Sequence, residues 1–201
     1  MENFYMSNID ANPLIIDRVH TSRLLGQNKS LVLHGGGNTS VKITEKNIIG
    51  EEEVLYVKGN GWDLETIDIE GFSPVRLQHL KALSELQTLS DSSMVNELIT
   101  HLTKASAPVP SVEAILHAVI PYKFVDHTHA DAVVAITNSF NGEKVIREIY
   151  GDLVIVIPYI MPGFDLSKLC AEHLKTGLTA STIGIVLLNR CLESTCKGGG
   201  A

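Results

Sequence analysis

The stretch from Ser111 to Asp131 changes its hydrophobic period part-way along, and that change constrains the fold more than any other feature of the chain. Ser111-Val-Glu-Ala-Ile-Leu-His117 sets Ile115, Leu116 and Val119 on one helical face, with Ser111 as the expected N-cap and Pro121 as a stop. Phe124 to Thr128 then reads as a strand. The same pairing of helix and strand recurs along the chain, which is the pattern of an α/β domain.

This stretch also carries chemistry. Alternate residues of a strand point the same way, so His127 and His129 share a face. Asp126 and Asp131 stand nearby and could fix imidazole tautomers, so the pair makes half of a zinc site. The competing reading is two histidines with ordinary packing roles. Glu113, brought by the preceding helix, would serve as a third ligand or a general base. His117 lies four residues after Glu113 on the same helical face, where it either orients a neighbour or packs.

A second motif lies far upstream in His34-Gly-Gly-Gly-Asn38-Thr39-Ser40-Val-Lys42. Three successive glycines cost backbone entropy that a simple turn does not require. They suit a main chain that approaches an anion and points N–H groups at it. The spacing is not that of a P-loop or a dinucleotide fingerprint. The expected anion-binding set is Gly37, Asn38 and Ser40 here, Asn60 and Gly61 in the turn after the next strand, and Ser111 at its helix start.

Elsewhere the pattern predicts a helix from Pro13 to about Gly26 and short strands at Leu31–Leu33 and Val41–Ile43. A strand is expected over Glu53–Lys58, and helices over Pro74 to about Leu89, with Ser73 before the proline, and Asp91 to about Lys104, with Asp91 as N-cap. Further helices are expected at Ala130–Thr137, Gly142–Tyr150 and Asp165 to about Thr176, with strands at Leu153–Ile157 and Thr182–Leu188. No repeat and no long linker divides the chain, so residues 1–189 read as one domain and 190–201 as a divergent, polar, Gly-rich tail.

The chain has 201 residues, 44% of them hydrophobic, enough for one sizeable core. A net charge of −7 without a basic run argues against nucleic acid as a partner. No run approaches a membrane span, and the first residues lack the charged and apolar regions of a signal peptide. The three cysteines, Cys170, Cys191 and Cys196, form no usual zinc spacing, and a reduced cytoplasmic location is expected.

Together the motifs resemble the class II aldolase/adducin family, from about Leu14 to about Asn189. The segments that carry the resemblance are Ser22-Arg-Leu-Leu, Leu33-His-Gly-Gly-Gly-Asn-Thr-Ser-Val-Lys, Val57-Lys-Gly-Asn-Gly-Trp-Asp-Leu, Pro110-Ser-Val-Glu-Ala-Ile-Leu-His, Phe124-Val-Asp-His-Thr-His-Ala-Asp-Ala-Val and Tyr159-Ile-Met-Pro-Gly-Phe. The likeness is greatest to rhamnulose-1-phosphate aldolase-like domains, a branch often fused to a short-chain dehydrogenase. It implies a three-layer α/β/α sandwich around a central mixed, largely antiparallel sheet. It also implies a zinc-dependent lyase (or one using another divalent metal) that cleaves a small ketose 1-phosphate through a metal-stabilised enediolate. His127 and His129 would hold the metal, Glu113 would shuttle protons, and Asn38, Asn60, Gly61 and Ser111 would hold the phosphate. Epimerisation, decarboxylation and a non-catalytic adducin-like role are the alternatives on the same scaffold. Family members are often tetramers, so a homo-oligomer is expected.

Three departures from the family pattern stand out. Asn60 replaces a Thr or Ser, and Val112 replaces a second Ser, which bears on phosphate affinity. Arg190 stands where the family places its third zinc-binding histidine, with Cys191 as a substitute ligand if the strand end shifts by one residue. The family's final helices give way to the short tail, the pattern of a truncated or frameshifted gene, and a weakened aldolase is the expectation.

Overall fold

The computed structural model describes residues 11–188. Helix α1 (Pro13–Gln27) starts where Asn12 caps it, the Asn12 side chain accepting from Leu14 N at 3.0 Å with Pro13 in the first turn. Strand β1 (Asn38–Lys46) turns at Asn47–Gly50 into β2 (Glu51–Lys58), and the two pair antiparallel from Ser40↔Val57 to Lys46↔Glu51. Strand β3 (Phe72–Arg76) pairs outside β2, and β4 (Phe124–His127) pairs antiparallel with the other side of β1. The sheet order is β3-β2-β1-β4.

The alternation along β1 decides what covers each face. Val41 and Ile43 pack with Ile15 and Val19 of α1 and with Leu64, Ile67 and Phe72. The opposite face, with Leu55 and Val57 of β2, lies under helices α2 (Leu77–Ser84), α3 (Asp91–Thr100) and α4 (Ala114–Val119). A second, two-stranded parallel sheet joins β5 (Val154–Ile157) to β6 (Gly184–Leu187). It packs between α7 (Phe164–Gly177) on one side and α5 (Asp131–Thr137) and α6 (Gly142–Tyr150) on the other. The architecture is the expected α/β sandwich, with one antiparallel and one parallel sheet among the described residues. No described helix is long and apolar enough to cross a membrane. Among the described residues Cys170 is a free thiol in the α7 core, its pKa pushed up to about 12 by burial.

Four expectations need correction. The helix expected from Pro74 begins only at Leu77, because Phe72–Arg76 joins the sheet edge. Pro74 is tolerated there because its carbonyl faces outward and accepts from Thr103 N at 2.9 Å; its missing N–H is on that same outer side, so no ladder bond is lost. The helix expected to reach Lys104 ends at Thr100, since the chain turns so that His101 O can accept from Arg76 N at 3.1 Å. Its N-cap is Ser90, not Asp91; Ser90 Oγ accepts from Ser93 N at 3.2 Å. Leu31–Leu33 forms no strand: the amides of Leu31 and Val32 both close onto Asn28 O, and Leu31 O accepts from His129 N at 2.9 Å.

Candidate active site

The site begins with a register. In the β1–β4 pairing Asn38 stands directly opposite His127, so their side chains are cross-strand neighbours. Gly37, just before β1, has φ +70°, and a Cβ there would lie 3.0 Å from His127 O. Any side chain would therefore strain the backbone and press on the strand that carries His127.

Helix α4 supplies the second half. Ser111 does not act as its N-cap; Glu113 occupies that position, and Ser111 makes the turn before it. Ser111 O accepts from Ala114 N at 3.0 Å and Ser111 Oγ from Glu113 N at 3.2 Å. This turn aims the Glu113 carboxylate at the strands. Its Oε2 accepts from His127 Nδ1 at 3.0 Å and from Asn38 Nδ2 at 3.1 Å, while Asn38 Nδ2 also reaches Ser111 Oγ at 2.7 Å. One strand step further, Ser40 Oγ is hydrogen-bonded to His117 Nδ1 at 2.8 Å. The match is geometric: two residues of strand advance about 6.6 Å, and four of helix about 6 Å. Asn38 and Ser40 therefore meet Glu113 and His117 in step.

The charges follow from this packing. Burial alone would raise the Glu113 pKa, but the hydrogen bond and charge of His127, the charge of His117 and the Asn38 bond outweigh it and hold it at about 2. His117 is fully buried, which pushes its pKa down to about 3 against the pull of Glu113. The pKa of His129 is lowered, first by burial and then by neighbouring His127; their ring centroids are 4.9 Å apart with a 57° tilt. The backbone of His129 hangs from Leu31 O, and a Cβ on Gly36 would come within 3.4 Å of its Nδ1. The glycine loop thus packs directly against this imidazole.

The expected anion-binding residues divide by placement. Asn38, Ser111 and Gly37 adjoin Glu113 and His127. Ser111 Oγ accepts two bonds and keeps its proton to donate. Asn38 Oδ1 is buried without a hydrogen-bond partner among the described residues, an acceptor awaiting a donor. Ser40 is fully buried, and its hydroxyl holds His117. Asn60 and Gly61 are exposed at a turn where Gly61 has φ +81°; the backbone N–H of Asn60 donates to Val109 O at 2.8 Å.

Two participants escaped the sequence reading. Lys58, only 7% exposed, donates to Gly35 O at 3.0 Å and so ties the end of β2 to the glycine loop. Burial lowers its pKa while the charges of Glu113 and Asp63 raise it. A lysine directly before Gly59-Asn-Gly61 was the available signal. Arg18 on α1 is 1% exposed and reaches Asp126 Oδ1 at 2.6 Å and Ser40 O at 3.3 Å, bracing β4 beside His127. Nothing in the local sequence distinguishes this arginine from a surface one.

Two imidazoles and a carboxylate are the donor set of zinc or a similar divalent metal. His127 spends Nδ1 on Glu113, which orients the ring and leaves Nε2 for a ligand, so the residues fit a metal centre in this respect. They do not yet form a closed three-ligand cluster: among the described residues only His79, Glu97 and His101 bring their ligand atoms within 4.8 Å of one another. Arg190 and Cys191, at the expected third position, lie outside the described residues.

Residues 17–195 match the family model of the class II aldolase and adducin N-terminal domain. The chain is 43% identical over 155 residues to an uncharacterized oxidoreductase, YuxG, of Bacillus subtilis, covering 77% of this chain and 22% of that protein, so it spans about a fifth of that relative's length. Among solved structures it resembles the N-terminal class II aldolase domain of a conserved Thermoplasma acidophilum protein, with a TM-score of 0.77 and 44% identity over 85% of this chain and 78% of the other. It shares its fold with Klebsiella pneumoniae YgbL, described as a candidate aldolase, epimerase or decarboxylase, at a TM-score of 0.57 and 18% identity over 88% and 75% of the two chains.

Proposed function

We propose, for a chain that belongs to the class II aldolase and adducin N-terminal domain family, that it is a metal-dependent lyase domain cleaving a small ketose 1-phosphate by a retro-aldol reaction. The observation that carries this reading is the Glu113 carboxylate held between His127 Nδ1 at 3.0 Å and Asn38 Nδ2 at 3.1 Å, with His129 alongside. His127 and His129 would hold zinc or another divalent ion. Such an ion supplies Lewis acidity toward the substrate's carbonyl and hydroxyl oxygens.

The chain's own residues do the rest. Glu113, ionised at neutral pH, is the group to move protons. A carboxylate satisfied by two donors is a weak base, and it gains basicity when substrate displaces one of them. The substrate hydroxyl on the far side of the scissile C–C bond gives up its proton, the bond's electron pair passes to the ketose fragment as an enediolate, and that carbon is then protonated. Asn38 Oδ1 would accept from a substrate hydroxyl, and the Ser111 hydroxyl would donate to the phosphate. Lys58 adds positive charge beside the glycine loop.

The relative called an oxidoreductase, of which the chain covers 22%, supports placement in the dehydrogenase-fused branch. Assembly as a homo-oligomer and a cytoplasmic location belong to the same proposal. The test is to load purified protein with Zn2+ and assay ketose 1-phosphates for release of dihydroxyacetone phosphate, identifying every product. Cleavage dependent on metal and on Glu113 supports the reading. Epimerised or decarboxylated products without cleavage would transfer the scaffold to another enolate reaction, and a chain that binds no metal and transforms no substrate would leave an interaction role.

A further inference from the structure

We infer that His79, Glu97 and His101 form a second divalent transition-metal site, separate from Glu113 and its histidines. It does not depend on the reading of Glu113. His79 lies on α2, Glu97 on α3, and His101 at the C-terminal cap of α3. Neither α2 nor α3 contributes a residue to the Glu113 cluster.

The geometry is convergent. His79 Nε2 stands 2.8 Å from Glu97 Oε2, and His101 Nδ1 stands 3.6 Å from the same oxygen. The two imidazoles stack with centroids 3.2 Å apart and planes 5° from parallel, so binding one ion requires the rings to turn apart until both in-plane lone pairs meet at it. All three ligand atoms lie within 4.8 Å of one another, the spread of first-sphere donors around one ion. Glu97 and His101 are four residues apart and share a helical face, while His79 comes from the helix packed beside it. The site is therefore held by two elements rather than by one flexible segment.

The donor types choose the ion. Two nitrogens and one carboxylate oxygen favour zinc, cobalt, nickel or copper over magnesium or calcium, which take oxygen ligands. The side chains are 25%, 32% and 30% exposed, so water can complete the coordination. Binding needs a bare nitrogen on each imidazole: His79 ligates through Nε2 with its ring proton on Nδ1, and His101 through Nδ1 with its ring proton on Nε2, giving up the contact of Nδ1 with Glu97 O at 2.9 Å. The metal would tie α2 to the end of α3, where His101 O and Thr103 N already bond to Arg76 N and Pro74 O of the β3 edge. Its effect would be to clip that edge.

The test uses the full chain stripped of metal and carrying His127→Ala and His129→Ala, so that the other imidazole pair is gone. Titrated with Co2+, it should take up one equivalent with visible d–d absorption. Adding His79→Ala or His101→Gln should weaken uptake at least about tenfold, the usual cost of altering a metal shell. Absence of Co2+ uptake in the first variant, or bands unchanged in the second, would overturn the assignment. The unmodified chain gives an independent reading if the variants misfold: Zn2+ should shield His79 and His101 from diethyl pyrocarbonate, and equal modification with and without Zn2+ would also overturn it.

Discussion

Ser40 on β1 and His117 on α4 are hydrogen-bonded at 2.8 Å in the buried layer between sheet and helix, one step behind the contact of Asn38 with Glu113. The bond fixes the distance between strand and helix, and so the height of the carboxylate above His127. Among the described residues His117 Nε2 has no hydrogen-bond partner, so there the ring is held by Ser40. Ser40→Ala should therefore destabilise the protein by about 1–3 kcal/mol, the cost of a buried polar group left unsatisfied. Urea unfolding measures it. A change within a few tenths of a kcal/mol would mean that the bond does not tie the helix to the sheet.

The same histidine makes stability depend on pH. Its folded pKa, about 3, is below its ordinary value of 6.5 because burial disfavours the charged form. Between these values the unfolded chain binds the proton and the folded one does not, so stability falls as pH drops through that window, by up to about 1.4 kcal/mol per pH unit. Glu113, lowered to about 2, acts in the same direction at the acid end. Urea midpoints should drop between about pH 6.5 and pH 4.5, and less so in His117→Gln. Parallel profiles for the two proteins would contradict the assignment to His117.

Gly37→Ala combines a disfavoured positive φ with a Cβ 3.0 Å from His127 O. The backbone term alone is about 1–2 kcal/mol. Because the pressure falls on the strand holding His127, Zn2+ affinity at that pair should weaken along with the melting temperature. Calorimetry on the metal-free and Zn2+-loaded forms separates the two effects. Loss of stability with unchanged affinity would show that the loop does not set the position of His127.

Arg18→Lys is the sharpest probe of the far side of the sheet. The guanidinium bonds Asp126, Thr21 and the carbonyl of Ser40 at once, a fork that an ammonium cannot reproduce. With Asp126 about half exposed, solvent screens the pair, so a cost of roughly 1–2 kcal/mol is expected rather than that of a fully buried ion pair. Chemical denaturation checks it; full stability in Arg18→Lys would reduce Arg18 to a packed side chain.

Glu113→Gln should keep the fold and lose about 10²–10⁴-fold in the proposed lyase rate, the contribution of a positioned proton-transfer group. Asn38 and His127 can still bond to the amide oxygen of the variant, so a far-ultraviolet spectrum and melting point close to the parent are expected. A variant that turned over at the parent's rate would remove Glu113 from the chemistry.

The sequence by itself determined what neighbours along the chain can determine. The apolar period placed α1, α6 and β2 within a few residues of their observed ends, and the expected neighbours His127 and His129 have ring centroids 4.9 Å apart, although β4 ends at His127 and it is Leu31 O that holds the His129 backbone. Glu113 was legible because the end of its helix at Val119 and the start of β4 at Phe124 are joined by a short turn, which folds the helix start back beside the strand end. Tertiary structure decided everything that depends on residues far apart. Phe72–Arg76 has a Ser-Pro that mimics a helix start, and only pairing with β2 makes it a strand. Ser40 looked like an anion ligand until α4 covered it, and the backbone N–H of Asn60 is taken by Val109 O while its side chain stays exposed. Arg18 and the pair His79 and His101 have no local signature; they matter because 18 to 108 residues of chain fold back to meet them, and a hydrogen bond or a metal shell is sensitive to that meeting at the scale of an ångström.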